Sequence, residues 1–462
     1  MATQKRPIAV AILAAGKGTR MRSQLPKVLH KLGALTLVER TLITAQQLNP
    51  EKCYAIVGYA QDKVRETLQD YSVDFVEQLE QLGTGHAIQQ LLPHLAGFQG
   101  DLLVLNADVP LLRPTTLKSL IAFHRSNQSS ATLLTARVSD PTGYGRVLCN
   151  TDDRIDKIVE HRDCTPEQLE VNRINGGIYC FHWPELETVL PNLGSENSQQ
   201  EYYLTDTVSM VPSAYAIDVA DDQELQGIND RYHLALAYRT LQDRLKTEWM
   251  KAGVTFIDPQ SCTIDDSVQL EPDCTIEPQT HLKGSTTIAA GCTIGPSSTI
   301  TNSAIGHSST VTYSVVSDSA IGSHCQIGPF THLRGKTEIG DRCRIGNFVE
   351  LKNTKVGNDT NAAHLSYIGD AALGEQVNIG AGTITANFDG QHKHFTRIGN
   401  RSKTGSNSVL VAPVELGSDV SVGAGSTITE SVPNDSLVIA RARQVVKPGW
   451  RPKPANPDST IQ

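Results

Sequence analysis

From residue 264 onward an aliphatic side chain returns every six residues. Ile264, Leu270, Ile276, Leu282, Ile288, Ile294 and Ile300 form one series, Ile321, Ile327, Leu333, Ile339, Ile345 and Leu351 a second, and Ile398, Thr404, Leu410, Leu416, Val422 and Ile428 a third. The next residue is typically Gly, Asp, Glu or another small one, and the fifth position is commonly Ser, Thr, Cys, Ala or Val. A helix needs a period of about 3.6 and a flat amphipathic strand one of about 2, so neither accommodates this spacing. A parallel β-helix does. Each six-residue unit is one short strand and a corner, the aliphatic points inward, and small residues permit the bend, so that three units complete a triangular coil. Such a prism is narrow inside, which explains why aromatic residues make up only 5% of the chain. Steps of five, from 300 to 305 and from 311 to 316, predict distorted corners. Between Ile379 and Ile398 the period fails, and the polar stretch 380–394 predicts a loop extruded from the prism, the kind of place where solenoids build sites.

The preceding half has a different rhythm. Short apolar runs at 8–15, 53–57, 102–105 and 132–138 read as strands separated by helix-like stretches, the pattern of an α/β domain with a largely parallel sheet. Leu234, Tyr238, Leu241, Leu245 and Trp249 then fall three or four apart, predicting a connecting helix that Gly253 ends. The expected organisation is a first domain over 1–229, a linker helix over 230–252 and a β-helix domain over 253–462 with a basic tail.

Composition removes other classes. At 462 residues the chain exceeds one ordinary core. With 41 Lys plus Arg against 49 Asp plus Glu, the net charge of -8 leaves no basic excess for nucleic acid. Nine cysteines, at 53, 149, 164, 180, 262, 274, 292, 325 and 343, include no CxxC pair and read as reduced thiols of a cytoplasmic protein. Lys5-Arg6 before the apolar run imitates a signal peptide, but a buried strand entering a glycine-rich turn explains the run and the turn together. No apolar stretch of about 18 residues predicts a membrane span.

That turn is Leu13-Ala14-Ala15-Gly16-Lys17-Gly18-Thr19-Arg20-Met21. Glycines let backbone N–H groups close on an anion, and Lys17 and Arg20 supply charge to phosphate oxygens, although the order is not that of a P-loop and a plain structural turn would look similar. Leu25-Pro26-Lys27-Val28-Leu29, Glu77-Gln78, Gln81-Leu82-Gly83-Thr84-Gly85-His86-Ala87 and Asp108-Val109-Pro110-Leu111 follow. Gly143-Tyr144-Gly145-Arg146, Ile158-Val159-Glu160-His161, Ile174-Asn175-Gly176-Gly177-Ile178 and Gly227-Ile228-Asn229 complete the series. Over residues 5–230 the set resembles the Rossmann-like sugar-phosphate nucleotidyltransferases, which join a sugar 1-phosphate to a nucleoside triphosphate and release pyrophosphate.

With the six-residue repeats added, the chain resembles the bacterial bifunctional N-acetylglucosamine-1-phosphate uridyltransferase/glucosamine-1-phosphate acetyltransferase family up to the Trp450 region. The resemblance implies the left hand of the β-helix, and UTP, N-acetylglucosamine 1-phosphate, glucosamine 1-phosphate and acetyl-CoA as small-molecule substrates. It further implies that Leu13, Ala14, Ala15 and Gly16 contact the nucleotide, that Arg20 and Lys27 neutralise phosphates, and that Gln78, Gly83 and Thr84 read uracil. Gly145, Glu160 and Asn175 would hold the N-acetylated sugar, and Asp108 and Asn229 would hold Mg²⁺, which prefers few protein oxygens with phosphates and waters completing its octahedron. Standing alone, Asp108 would read as a turn or N-cap carboxylate. Asn106-Ala107 replaces the family's usual Tyr-Gly before it.

In the β-helix half, Gly346-Asn347-Phe348-Val349-Glu350-Leu351-Lys352 and Ala363-His364-Leu365-Ser366-Tyr367-Ile368-Gly369-Asp370 fall on successive coils. Most solenoid histidines are solvated corner residues, and there are 14 histidines here, but His364 has cations and amides around it in the pattern. Imidazole suits proton removal from an amine near neutral pH, so His364 is the candidate base. Arg334, Lys352, Tyr367, Asn378 and Lys393 are candidates for the sugar phosphate. By the resemblance, Ala381, Asn387, Phe388, Ser406, Ala424 and Arg441 would contact acetyl-CoA, with Phe388 standing where the family has Tyr. Arg441, Arg443, Lys447, Arg451 and Lys453 make the tail basic, a solvated end or a partner for CoA phosphates. The family assembles as a homotrimer with acetyl sites between prisms. Two rivals are another sugar-1-phosphate nucleotidyltransferase with a regulatory β-helix, which leaves His364 without work, and a non-enzymatic assembly subunit, which would not need Lys17, Arg20, Lys27 and Asp108 together.

Overall fold

The computed structural model describes residues 6–451, so Lys5 and Lys453 lie outside the described residues. The chain divides into two compact units, 1–244 and 245–462, with the division inside the helix Arg231–Lys251.

The first unit is built on a sheet whose strands run Ala214–Asp218, Ala131–Arg137, Arg173–His182, Asp101–Asn106, Ile8–Leu13, Lys52–Val57, Asp74–Glu77. Ile8–Leu13 is apolar throughout because both of its faces are covered. Ala9 and Ala11 join Tyr54, Ile56, Leu102 and Val104 in one core, while Val10 and Ile12 join Cys53, Ala55, Leu103 and Leu105 in the other. Ile8–Leu13 pairs in parallel with Lys52–Val57 and Asp101–Asn106, whereas Arg173–His182 runs antiparallel to both of its neighbours. The register of that antiparallel strand shifts between Asn175 and Tyr179, which turns the backbone just where the strand reaches the site. The helix Leu37–Gln46 starts on a capping box between Thr36 and Glu39. In such open sheets the ligand crevice opens at the carboxyl ends of the parallel strands.

The second unit is a left-handed parallel β-helix. Along one face the inward residues pair in register from coil to coil: Ile264 with Leu282, Leu282 with Ile300, Ile300 with Val316, Val316 with Leu333, Leu333 with Leu351, and Leu351 with Ile368. The five-residue steps shorten single coils without breaking this ladder. Each buried Ile or Leu contributes roughly 1.5–3 kcal/mol by leaving water. Position five favours Ser, Thr and Cys because their polar atoms reach backbone of neighbouring coils: Thr331 Oγ1 donates to Gly346 O at 2.9 Å, and Ser314 Oγ accepts from Thr331 N at 3.2 Å. Leu245 and Trp249, from the last turns of Arg231–Lys251, pack on this core.

One expectation needs correction. The stretch 380–386 stays on the prism, with Ile384–Ala386 a strand and Thr383 and Thr385 fully buried. Polar residues can line the interior here because the two hydroxyls donate to Gly380 O at 2.7 Å and Gly369 O at 3.0 Å. The extruded part begins at Asn387 and ends before Thr396, and is pinched by a bridge between Phe388 and Lys393. All nine cysteines are unpaired. Among the described residues no helix is long and apolar enough to cross a membrane.

Candidate active sites

At the carboxyl ends of the first unit's parallel strands lies a cleft of about 340 Å³. Leu13, Ala15, Gly16, Lys27, Gln78, Gly83, Thr84 and Asp108, all singled out in the sequence, line it, and so does Asn106. The turn is held to its neighbours by Ala14 N–H on Ile56 O at 2.9 Å and Tyr59 N–H on Ala15 O at 3.2 Å. Gly18 has φ +62°, and any side chain there would run into Lys27, so glycine both makes the turn and lets the lysine enter the cleft. Lys17 is exposed, its ammonium 5.4 Å from the centre of the Tyr59 ring.

Two oxygen donors meet at one edge. Asp108 O accepts from Ile228 N–H at 2.8 Å, which sets Asn229 beside Asp108. Lys27 Nζ bonds Asp108 Oδ2, and Arg20 Nη2 donates to Asn229 Oδ1 at 2.9 Å. A carboxylate and an amide oxygen that already draw cationic groups are a donor set suited to Mg²⁺ when substrate phosphates and waters supply the remaining ligands. Among the described residues no group of three or more His, Cys, Asp or Glu side chains could hold a metal by itself.

Gly145, Glu160 and Asn175 also come together. A side chain at Gly145 would sit 3.2 Å from Glu160 Oε1 and 3.4 Å from Asn175 Cβ, so the glycine keeps open the space between them. Asn175 Oδ1 accepts from Gly177 N–H at 2.8 Å and from the Tyr179 hydroxyl at 3.1 Å, which leaves its Nδ2 to act as a donor. Burial raises the Glu160 carboxyl above the usual glutamate value, and Asp163, Asp206 and Glu201 add to the effect.

On the prism, coil stacking draws distant residues into a line. Asn347 pairs with His364, Gly382 N–H donates to His364 O at 3.3 Å, Asn407 N–H to Ala381 O at 2.7 Å, and Gly425 N–H to Ser406 O at 2.8 Å. Arg441 Nη1 then donates to Ala424 O at 2.6 Å. His364, Ala381, Ser406, Ala424 and Arg441 therefore follow one another along one edge of the prism. His364 is exposed at the end of the strand Asn361–His364. In the backbone register Asn378 stands beside Asn361, not beside His364.

A second row runs next to it. Arg334 pairs with Lys352, and Lys352 with Gly369, over which Tyr367 folds its hydroxyl. Arg334 is already engaged with Glu350, at 2.8 Å from Nε and 2.6 Å from Nη2. The loop brings Lys393 against Lys352, whose contact and charge lower the Lys393 pKa. Asp370, which the sequence reading missed, accepts from Asn353 Nδ2 at 2.7 Å and from Asn387 Nδ2 at 2.5 Å. Residues 353, 370 and 387 are 17 apart, one coil each, and that interval was the signal available in the sequence. Phe388 is exposed on the loop.

Fold and sites define a nucleotidyltransferase joined to a hexapeptide-repeat transferase. The model of the MobA-like NTP transferase domain matches residues 10–164, and that of the bacterial transferase hexapeptide (six repeats) matches 318–353 and 395–430. Proteins named bifunctional protein GlmU are 62% identical from Trichormus variabilis (96% of this chain, 99% of the relative) and 61% from a Nostoc species (96% and 99%). The protein of that name from a Synechococcus strain is 60% identical, over 97% of this chain and 71% of the relative. A solved UDP-glucose pyrophosphorylase complexed with UDP-glucose is 17% identical, with 52% of this chain and 99% of that one covered and a TM-score of 0.41, too slight a likeness to bear on function. The chain belongs to the bifunctional GlmU family. It is a two-activity enzyme, an N-acetylglucosamine-1-phosphate uridyltransferase and a glucosamine-1-phosphate acetyltransferase.

Proposed function

We propose that the prism acetylates glucosamine 1-phosphate and that the cleft of the first unit then joins the product to UTP, giving UDP-N-acetylglucosamine and pyrophosphate. The observation that carries the first unit's role is the convergence of Lys27, Asp108, Arg20 and Asn229 at one edge of the cleft. The sugar phosphate attacks the α-phosphorus in line and displaces pyrophosphate. It is already anionic, so no protein base is needed, and catalysis rests on positioning and charge neutralisation by Lys27 and Arg20. Asp108 and Asn229 would hold Mg²⁺, which when bound withdraws charge from triphosphate oxygens. Leu13 to Gly16 would receive the nucleotide, Gln78, Gly83 and Thr84 the uracil, and Gly145, Glu160 and Asn175 the N-acetyl sugar. Glu160 ionised would accept from sugar hydroxyls while Asn175 Nδ2 donates.

On the prism, His364 would take the amine proton as nitrogen attacks the thioester carbon and CoA leaves as the thiol. Arg334, Lys352, Tyr367, Asn378 and Lys393 would hold the sugar phosphate, and the line from Ala381 to Arg441, with Asn387 and Phe388, the coenzyme. The working assembly is a homotrimer. Its support is an exposed apolar strip on the prism, where Tyr313 and Phe330 rings lie 5.8 Å apart, Phe330 and Phe348 stack at 5.1 Å, and Leu365 continues the row. Nine unpaired thiols suit the cytoplasm. The reading is tested by supplying glucosamine 1-phosphate, acetyl-CoA, UTP and Mg²⁺ to the purified chain. CoA thiol should appear without UTP, and pyrophosphate should require both acetyl-CoA and UTP. Pyrophosphate formed from unacetylated sugar phosphate at full rate would overturn the order.

A further inference from the structure

The GTGHA stretch contributes a histidine to which nothing above assigns a task. His86 lies on the short helix Thr84–Gln89, its ring half-buried beside Tyr202 with centroids 6.2 Å apart. Its Nδ1 is 3.2 Å from Nε2 of Gln78, a side chain 97% hidden that lines the cleft. The same Gln78 nitrogen donates to Gly83 O at 3.0 Å.

Hydrogen bookkeeping then fixes the amide. A carbonyl can only accept, so the Gln78 atom facing Gly83 O is its NH₂ group, and one of its two hydrogens is used there. The other hydrogen points at His86, so Nδ1 must be the bare nitrogen of a neutral ring and Nε2 carries the proton. On that far side Gln90 approaches, with its own amide nitrogen 3.1 Å from His86 Nε2. A neutral imidazole accepts at one nitrogen only. Gln78 is buried and tied; Gln90, whose Nε2 also donates to His86 O at 3.0 Å, is half exposed, so it can give that bond up to water and turn its amide to offer oxygen to the Nε2–H. With both hydrogens of Gln78 engaged, what Gln78 presents to the cleft is Oε1, an acceptor.

We propose that His86 is a positioning residue for base selection: by accepting from Gln78 it locks the amide with oxygen toward the base, so the cleft takes a pyrimidine that carries a ring N–H, uracil, and rejects cytosine, whose ring nitrogen there is an acceptor. The inference rests on the uridylyl-transfer reading and deepens it. If His86 is removed, one hydrogen of a buried amide loses its partner and Gly83 O alone holds the orientation, so the amide is fixed less firmly and turns N–H into the cleft part of the time. Discrimination then falls.

The test compares UTP with CTP as substrates of the full-length enzyme, reading pyrophosphate release with N-acetylglucosamine 1-phosphate. His86→Leu should lower the UTP-to-CTP ratio of kcat/KM by roughly tenfold or more, chiefly through a higher KM for UTP. His86→Asn, whose Oδ1 can stand where Nδ1 stands, should recover most of that ratio. Circular dichroism and thermal melting of each variant establish that it is folded. A folded His86→Leu with the wild-type ratio overturns the proposal, and so does His86→Asn falling as low as His86→Leu. Wild-type enzyme that releases no pyrophosphate from UTP overturns the uridylyl reading itself, an outcome the ratio in an active enzyme cannot imitate.

Discussion

The Asn387 amide donates from Nδ2 to Asp370 Oδ2 at 2.5 Å, while Asn353 Nδ2 holds the other oxygen of the same carboxylate at 2.7 Å. Asp370 is buried, so this pair of charge-assisted bonds ties the start of the loop to two coils beneath it. Asn387 is thereby fixed where acetyl-CoA is expected. Asp370→Ala should raise the KM for acetyl-CoA roughly tenfold and leave uridylyl transfer unchanged, as measured by thiol and pyrophosphate release on the same preparation. An unchanged KM would show that the loop holds its place without this anchor.

Lys27 and Asp108 are 81 residues apart and meet at the cleft edge. Asp108→Ala removes the charged member of the proposed metal pair and should cost uridylyl transfer at least about a hundredfold, with acetyl transfer intact. A chelator should reproduce this split on wild-type enzyme, and added Mg²⁺ should reverse it. Uridylyl transfer that survives chelation would remove the metal from the reading.

How legible each feature was depends on whether its parts repeat. Every coil places an aliphatic residue inward, so the prism showed as a six-residue period, and strand Ile8–Leu13 as an unbroken apolar run, because local packing imposes both patterns. Thr383 and Thr385 defeated the pattern, since a hydroxyl that bonds backbone of its own coil, as Thr383 does, or of the preceding coil, as Thr385 does, is as much at home inside as isoleucine. Asp370 was missed because one carboxylate between two asparagines shows in the sequence only as a 17-residue interval, which gains meaning once three coils are stacked. The Lys27–Asp108 pair became readable only through family resemblance, for no spacing rule joins the turn Lys27–Leu29 to the turn that follows strand Asp101–Asn106.

Glu160 offers a test in pH. Burial raises its pKa, so protonation favours the folded state: its contribution to stability is largest at low pH and is lost as pH rises through the folded value. Glu160→Gln, always neutral, should therefore melt no lower than wild type at neutral pH. Sugar binding runs the other way, because only the ionised carboxylate is the full acceptor. The KM for N-acetylglucosamine 1-phosphate should rise as pH falls toward the raised value, and this dependence should vanish in Glu160→Gln. A KM that keeps its pH dependence in the variant would assign it to another group.

His124 shows the opposite linkage. Its ring is fully buried, bonded from Nδ1 to Thr132 Oγ1 at 3.0 Å, and burial lowers its pKa to about 4 although Asp101 lies 3.7 Å from Nε2. It is therefore neutral at physiological pH and makes no ion pair. Between pH 6.5 and about 4 the unfolded chain binds a proton that the folded one refuses, so about 3 kcal/mol of stability is present above pH 6.5 and lost on acidification to pH 4. Urea unfolding over that range should show the slope, and His124→Gln should flatten it. Equal slopes in the two proteins would place the acid sensitivity elsewhere.

His364 is exposed at the strand end that begins the line toward Arg441, with Ala381 on the next coil and the Lys352–Lys393 pair on the neighbouring row. Acetyl transfer needs a neutral amine, yet glucosamine 1-phosphate arrives mostly as an ammonium ion, so a group at the site must take a proton as nitrogen closes on the thioester. His364→Ala should lower the acetyl-transfer kcat by roughly a hundredfold, the usual contribution of a positioned base. The KM for glucosamine 1-phosphate should change little, because Arg334, Lys352 and Lys393 remain, and uridylyl transfer should not change at all. Raising the pH should partly restore the variant, since more substrate is then neutral before it binds. A variant with normal kcat and a raised KM would make His364 a binding residue, and the base would then be sought among the groups around Lys393.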